Sequence, residues 1–348
     1  MKKTFKFGIC GAFDFEEKAT GGQSVKTREF YLALSEKIGQ ANICILESTE
    51  YKKNPISFLV KFVRMMAESE NVLVFPAQKG IKIFAPLCRF LKGPCQTKTY
   101  YDVIGGWLAK IADENPGLRK SLVAFDAILV ETNQMKEDLG KRNISNVVRL
   151  RNFKAVKPLQ ESQVKAVTSP VRLCYFSRVT KMKGIADAVA VVNKINEHGT
   201  KCIFDIYGPV TDGYDEEFKQ LQNTFGGEIT YKGKADPSDS VKIISQYDLQ
   251  LFPTHYRTEG IPGAILDSYF AGVPVVTARW NSFSDVIIEG KTGIGYEMGD
   301  IDDFLLQLSW LINDKEKTME MKHCALKEAK DYMPETVIEE FLQITRGS

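Results

Sequence analysis

Short apolar runs alternate with longer amphipathic stretches along most of this chain. Phe5–Cys10, Asn42–Leu46, Asn71–Phe75, Thr97–Ile104, Asp126–Glu131 and Asn146–Leu150 are brief, bounded by turn residues and rich in Val, Ile, Tyr and Phe. They read as strands. Between them apolar residues recur every three to four positions, which is helical spacing. Strand–helix alternation of this kind predicts a parallel sheet covered by helices on both faces. From residue 152 to 170 the pattern lapses into polar sequence bracketed by prolines, which reads as a linker. A second series then begins with Val171–Phe176, Lys201–Tyr207, Glu228–Tyr231, Asp248–Phe252 and Val273–Thr277. The expected class is α/β, with two Rossmann-like domains at 1–157 and 158–333 and a deep cleft between them.

Composition fits this picture. The 348 residues are 44% hydrophobic and 26% charged, enough apolar sequence for two cores in a soluble protein. No apolar run reaches the roughly 18 residues of a spanning helix. The start, MKKTFKFGIC, breaks at once into polar residues and reads as a first strand rather than a signal peptide. Seven scattered cysteines read as reduced core residues, pointing to the cytoplasm. Three histidines without a Cys/His cluster predict no metal site and no cofactor. Charge is uneven: residues 1–157 carry 26 Lys/Arg against 16 Asp/Glu, a net of +10, and residues 158–348 carry 20 against 28, a net of −8. The basic half could face anionic lipid, nucleic acid or a phosphorylated substrate. Two of its segments suit an anionic membrane surface: Pro55–Met66, with Phe58, Leu59, Phe62, Met65 and Met66 on one side, and Lys79–Lys92. Their bland alternative is a helix with its apolar stripe in the core.

Candidate chemistry gathers at predicted strand ends. TEGIPGAILDSYFAGVP, residues 258–274, carries two acids, Glu259 and Asp267. A helix opened by Pro262 would put Asp267 about a turn and a half inside it, at an end that favours anions. SRVTKMKG, following the strand Val171–Phe176, sets Arg178, Lys181 and Lys183 before a glycine, which suits a phosphate or is simply a solvated loop. Gly208 ends the next strand. In the first half, Gly21 and Gly22 open a helix and could admit a ligand to the backbone, with Lys26 and Arg28 one turn on. YYDVIGGW places Asp102, Gly105 and Gly106 at another strand end, where Asp102 is either a cleft residue or a turn-capping acid.

Taken in order, SRVTKMKG, DIYGP, ITYKGKAD, DLQLFPTHYRTEGIPGAILDSYFAGVPVV and EGKTGIGYEMGD resemble the retaining, GT-B-fold glycosyltransferases of family 4. GGQSVKTR and YDVIGGW resemble the branch of that family that assembles bacterial capsule, exopolysaccharide and lipopolysaccharide. The resemblance implies a nucleotide-diphosphate-sugar donor and a glycan or lipid-linked acceptor. It implies that Arg178 and Lys183 hold the diphosphate, Glu259 faces the transferred sugar and Asp267 grips the ribose diol. Gly21, Gly22, Gly260, Ile261 and Gly263 would lie near the donor, and Lys26, Arg28, Asp102, Gly105 and Gly106 on the acceptor side. It also implies that a last helix, 334–348, returns to the first domain through Val337, Phe341 and Ile344. Three departures stand out: Asp267 replaces the usual Glu, no histidine precedes His198 where many members carry one in the acceptor domain, and Arg279-Trp280-Asn281-Ser282 replace a glycine pair. Two other readings are a nucleotide-sugar epimerase of the same fold and a non-catalytic membrane- or nucleic-acid-binding protein. The basic segments lack the interleaved aromatics of a nucleic-acid binder, so no nucleic acid is expected. The expected location is cytoplasmic, at or near the inner face of the cell membrane.

Overall fold

The structure is a computed structural model and describes residues 3–15, 22–211 and 213–347. It divides into two compact units, residues 1–155 with 333–348, and residues 156–332. Among the described residues each unit holds one six-stranded sheet.

In the first unit the strands are β1 (Phe5–Gly11), β2 (Ile43–Glu47), β3 (Ser69–Val74), β4 (Lys98–Asp102), β5 (Ala127–Val130) and β6 (Val147–Arg149). They lie in the order β2-β1-β3-β4-β5-β6, every pair parallel. Central strands such as β5, AILV, are buried along their whole length, as a sheet covered on both faces requires. The covering helices include α1 (Gly22–Ile38), the short α2 (Glu50–Lys53), α3 (Pro55–Glu68) and α4 (Gln78–Cys95). Asn54 starts α3 by accepting from the Ser57 N–H, and Pro55 occupies its first turn, where no donor is lost.

One face of this sheet meets α3 and α4 through Phe58, Phe62, Met65, Met66, Ile81 and Phe84. Leu59, grouped with those residues by its spacing, instead faces solvent. The opposite face meets α1 and the last helix, Pro334–Gly347. There Phe341 packs against Phe7, Phe30 and Tyr100, with ring centroids 5.5, 5.0 and 6.1 Å away. Val337 is fully buried beside it, and Ile344 only partly.

The second unit contains β7 (Val171–Phe176), β8 (Cys202–Tyr207), β9 (Ile229–Gly233), β10 (Leu249–Phe252), β11 (Val275–Ala278) and β12 (Gly293–Tyr296). The order is β12-β11-β10-β7-β8-β9, again wholly parallel. β12 has no counterpart in the sequence reading. Its GIGY is half glycine and lacks the β-branched run that signals a strand, and its pairing with β11 determines its conformation. Just before β10, Asp248 forms a buried ion pair of 3.2 Å with Lys322 and accepts hydrogen bonds from Thr168 Oγ1 and from the Arg172 N–H. Burial holds the Lys322 ammonium below the usual lysine range, with Asp248 opposing that shift.

Phe341→Ala should cost about 3–5 kcal/mol, because its ring is fully buried among three aromatic partners. Urea denaturation of the variant checks this; a loss below about 1 kcal/mol would mean the last helix contributes little to its unit.

Candidate active site

The second unit's strand order reverses between β7 and β10. From β7 the chain winds outward through β8 and β9, and from β10 the other way through β11 and β12. In open parallel sheets the crevice beyond the carboxyl ends at such a reversal is the usual ligand site. The loops leaving β7 and β10 meet there because one residue has no side chain. Gly184 has φ +69°, and a Cβ on it would stand 1.7 Å from the Pro253 carbonyl oxygen. Gly208, φ +139°, does the same for the β8 loop, where a Cβ would lie 1.8 Å from the Ser177 oxygen. Backbone bonds hold the contact: the His255 N–H donates to the Met182 carbonyl and the Val179 N–H to that of Pro209, both at 2.9 Å.

These junctions bring Lys183 and Glu259, 76 residues apart, into a direct ion pair. Thr254 Oγ1 donates to the same carboxylate oxygen, Oε1, at 3.2 Å. The ammonium also lies 4.9 Å from the Phe252 ring centre and 5.3 Å from that of Tyr256. Both side chains are mostly buried, and the cation lies within cation–π range of both rings. His255 Nε2 pairs with Asp187 Oδ2 at 2.8 Å, tying the β10 loop to the helix Ile185–Asn196. Arg178 is exposed on the β7 loop, and the Tyr175 hydroxyl donates to its carbonyl at 2.6 Å.

The helix Gly263–Phe270 begins beside Glu259. Pro262 is its N-cap and supplies no side-chain bond, so the first-turn N–H groups depend on other acceptors. Gly263 is the first helical residue, half-buried; Gly260 and Ile261 are buried just before it. Ile261 is therefore a packing side chain as well as a backbone neighbour of the helix start. Asp267 sits in the second turn, buried, and accepts from Ser240 Oγ at 2.7 Å.

The first unit assembles a second charged group. Lys26, from α1, reaches Asp102 at the end of β4 (2.7 Å) and Glu131 just beyond β5 (3.0 Å). The three are 6%, 2% and 3% exposed. Burial pushes the Asp102 carboxyl above its usual range, with Lys26 opposing that shift. Burial acts to lower Lys26, but the two carboxylates outweigh it and hold the ammonium above the lysine range. Lys26, expected to add positive charge at the helix start on the acceptor side, is thus engaged by two acids, and Asp102 is a buried strand-end residue rather than a turn cap. Gly105, φ +81°, turns the chain after β4, with Gly106 next to it, and Arg28 donates to the Asp14 carbonyl at 3.4 Å. Gly22 begins α1; Gly21 lies outside the described residues.

Glu131, Thr254, Ser240 and the His255–Asp187 pair were not singled out by sequence. Glu131 carried the same signal as Asp102, an acid at a strand's carboxyl end. The others contact their partners through loops whose meeting depends on strand order. Among the described residues no three or more His, Cys, Asp and Glu side chains gather as a metal-binding group.

Residues 156–328 match the family of glycosyl transferases group 1. This match covers almost all of the second unit, including both loops of the site. Similarity to curated proteins is modest: 26% identity to the sulfoquinovosyl transferase SQD2 of Arabidopsis thaliana, over 53% of this chain and 32% of that one. The capsular polysaccharide biosynthesis glycosyltransferase CapM of Staphylococcus aureus is 23% identical over 57% of this chain and 52% of its own. The chain therefore spans a third to a half of the length of these relatives. Among solved structures, Anabaena Alr3699/HepE in complex with UDP and glucose superposes with a TM-score of 0.73 at 12% identity, covering 99% of this chain and 100% of that one. The apo form of the lipopolysaccharide outer core galactosyltransferase WaaB gives 0.72 at 14%, covering 100% and 99%. At such identities the likeness establishes the fold, the two-domain α/β fold of GT-B glycosyltransferases.

Two substitutions test this geometry. Lys26→Met removes the cation that the two buried carboxylates share and should cost about 3–5 kcal/mol at neutral pH. The deficit should shrink as pH is lowered, since protonating those carboxyls removes the buried charge; urea melts at neutral and mildly acidic pH would show it. A pH-independent deficit would point to lost packing alone. Gly184→Ala should force apart the β7 and β10 loops and reduce Tm, while Gly117→Ala, whose Cβ meets nothing within 4 Å and whose φ is not positive, should be the milder change.

Proposed function

We propose that the chain is a glycosyltransferase, moving a sugar from a nucleotide-diphosphate-sugar to a glycan or lipid-linked acceptor in cell-surface polysaccharide assembly. The observation that carries this reading is the Lys183–Glu259 pair at the β7/β10 reversal, inside the region that matches the glycosyl transferases. The solved neighbours with UDP or UDP-glucose support the donor class, and CapM and WaaB support the pathway.

In this reading Arg178 and Lys183 neutralise the diphosphate as its bond to the anomeric carbon breaks and the bonding pair passes to a phosphate oxygen. Preorganised cations in a partly dry site stabilise such developing charge strongly. Backbone N–H groups at the start of Gly263–Phe270 add the helix dipole, with Gly260, Ile261 and Gly208 shaping the approach. Glu259 faces the sugar, its carboxylate an acceptor for hydroxyls once Lys183 engages phosphate. Asp267 takes the ribose diol with Ser240 orienting it. The acceptor hydroxyl bonds to the anomeric carbon on the face the diphosphate leaves, and its proton passes to a departing phosphate oxygen; configuration is retained. Two cations do the work of a metal, so no cofactor is required. Asp102, Gly105, Gly106, Arg28 and the Lys26 group are assigned to the acceptor side, with Gly21 and Gly22 on the donor phosphates, and the enzyme to the cytoplasm.

Glu259→Gln and Arg178→Ala should each lower transfer by about a hundredfold or more without moving Tm. Near-normal transfer in both variants would remove these assignments. Interconversion of the donor sugar in the absence of any acceptor would replace transfer by epimerisation.

A further inference from the structure

The two residues flanking His255 both reach the Lys183–Glu259 pair, and the imidazole between them does not. Thr254 Oγ1 donates to the Glu259 carboxylate and accepts from the Tyr256 N–H at 3.1 Å. The Tyr256 ring lies within cation–π range of Lys183 Nζ. The His255 ring instead bonds to Asp187, at 2.8 Å. A carboxylate only accepts, so that partner assigns the ring proton to Nε2, which donates.

These contacts bracket Lys183 along its own chain. The His255 N–H donates to the carbonyl of Met182, directly before the lysine, and the His255 ring reaches Asp187, one helical turn after it. Gly184, directly after the lysine, lies against the ring: a Cβ there would stand 3.1 Å from His255 Cδ2. One residue of the β10 loop thus holds the lysine's backbone from both sides. Asp187 stands in the first turn of the helix Ile185–Asn196, so the tie ends on a regular element rather than on another loop. The two side chains are 21% and 33% exposed, and partial shielding from water strengthens a hydrogen bond to a charged group.

We infer that His255 and Asp187 are positioning residues: they set where Lys183 stands relative to Glu259, and through that the affinity of the site for an anionic ligand. Displacing a charged group by about 1 Å is costly, because its preset geometry is what the ligand meets. The link to affinity rests on the donor chemistry proposed above, whereas the link to the position of Lys183 does not.

Two measurements on the 348-residue protein separate those links. Trace acetylation with acetic anhydride, read by peptide mass spectrometry, reports how well Lys183 is sequestered with no ligand present. Relative to the exposed Lys110 of the first unit, Lys183 labelling should rise about fivefold in His255→Ala, the release of one hydrogen bond. It should stay near wild type in His255→Gln, whose amide N–H can still donate to Asp187. Calorimetric titration with UDP and GDP then reads affinity. His255→Ala and Asp187→Ala should each weaken binding about tenfold, and His255→Gln and Asp187→Asn should restore most of it. In a Lys183→Ala background His255→Ala should add no further loss, because it acts through that lysine. Unchanged Tm shows that each variant is folded. Unchanged Lys183 labelling in His255→Ala overturns the inference. So does an affinity loss that adds to that of Lys183→Ala, or one that the conservative variants fail to restore. Wild type that binds neither nucleotide would remove the donor reading, and the labelling alone then decides.

Discussion

The reversal of strand order between β7 and β10 is the constraint on which the candidate site rests. Parallel strands that wind away from each other leave a crevice at their carboxyl ends that no crossover helix fills. Two loops distant in sequence must then share a few ångströms. Gly184 and Gly208 make that sharing sterically feasible, each placing backbone where a Cβ would overlap a carbonyl oxygen. With the loops pinned, Lys183 and Glu259 have little alternative to each other, and Thr254 and the two rings complete their surroundings.

Both units put a lysine against carboxylate at the carboxyl end of a sheet, yet the two groups differ physically. Lys26 faces two acids and all three are almost sealed, so the group is built for permanence; removing one partner leaves charge with no solvent to turn to. Lys183 faces one acid, retains some exposure and stands beside a helix start without a side-chain cap. A neutral pair of that kind can open to a ligand that supplies its own negative charge, because phosphate replaces the carboxylate as counter-ion. The first is chiefly a structural clamp; the second has the electrostatics of a binding site.

Much of this was legible in the sequence because hydrophobic period and turn residues are local signals. All six strands of the first unit and five of the second follow from them, as does the position of Arg178, Lys183 and Glu259 on the loops after β7 and β10. β12 escaped because glycine hides its strand character, and Glu131 because nothing local says which helix lysine it will meet. The exposure of Leu59 on α3 escaped for a different reason: in one dimension it is indistinguishable from Phe58 and Phe62, and only packing separates a buried side from an exposed one. The partnering of Lys26 was equally invisible, since its acids lie on β4 and beyond β5, far along the chain.

The central claim is that Lys183 releases Glu259 to hold a diphosphate. Calorimetric titration of the 348-residue protein and two variants with UDP and GDP tests it most directly. Lys183→Ala should weaken nucleoside diphosphate binding about tenfold or more, the loss of one charge-assisted contact. Glu259→Gln should bind at least as tightly as wild type, because the competing carboxylate charge is gone. Equal affinity in wild type and Lys183→Ala, or failure of Glu259→Gln to bind while still folded, would contradict it.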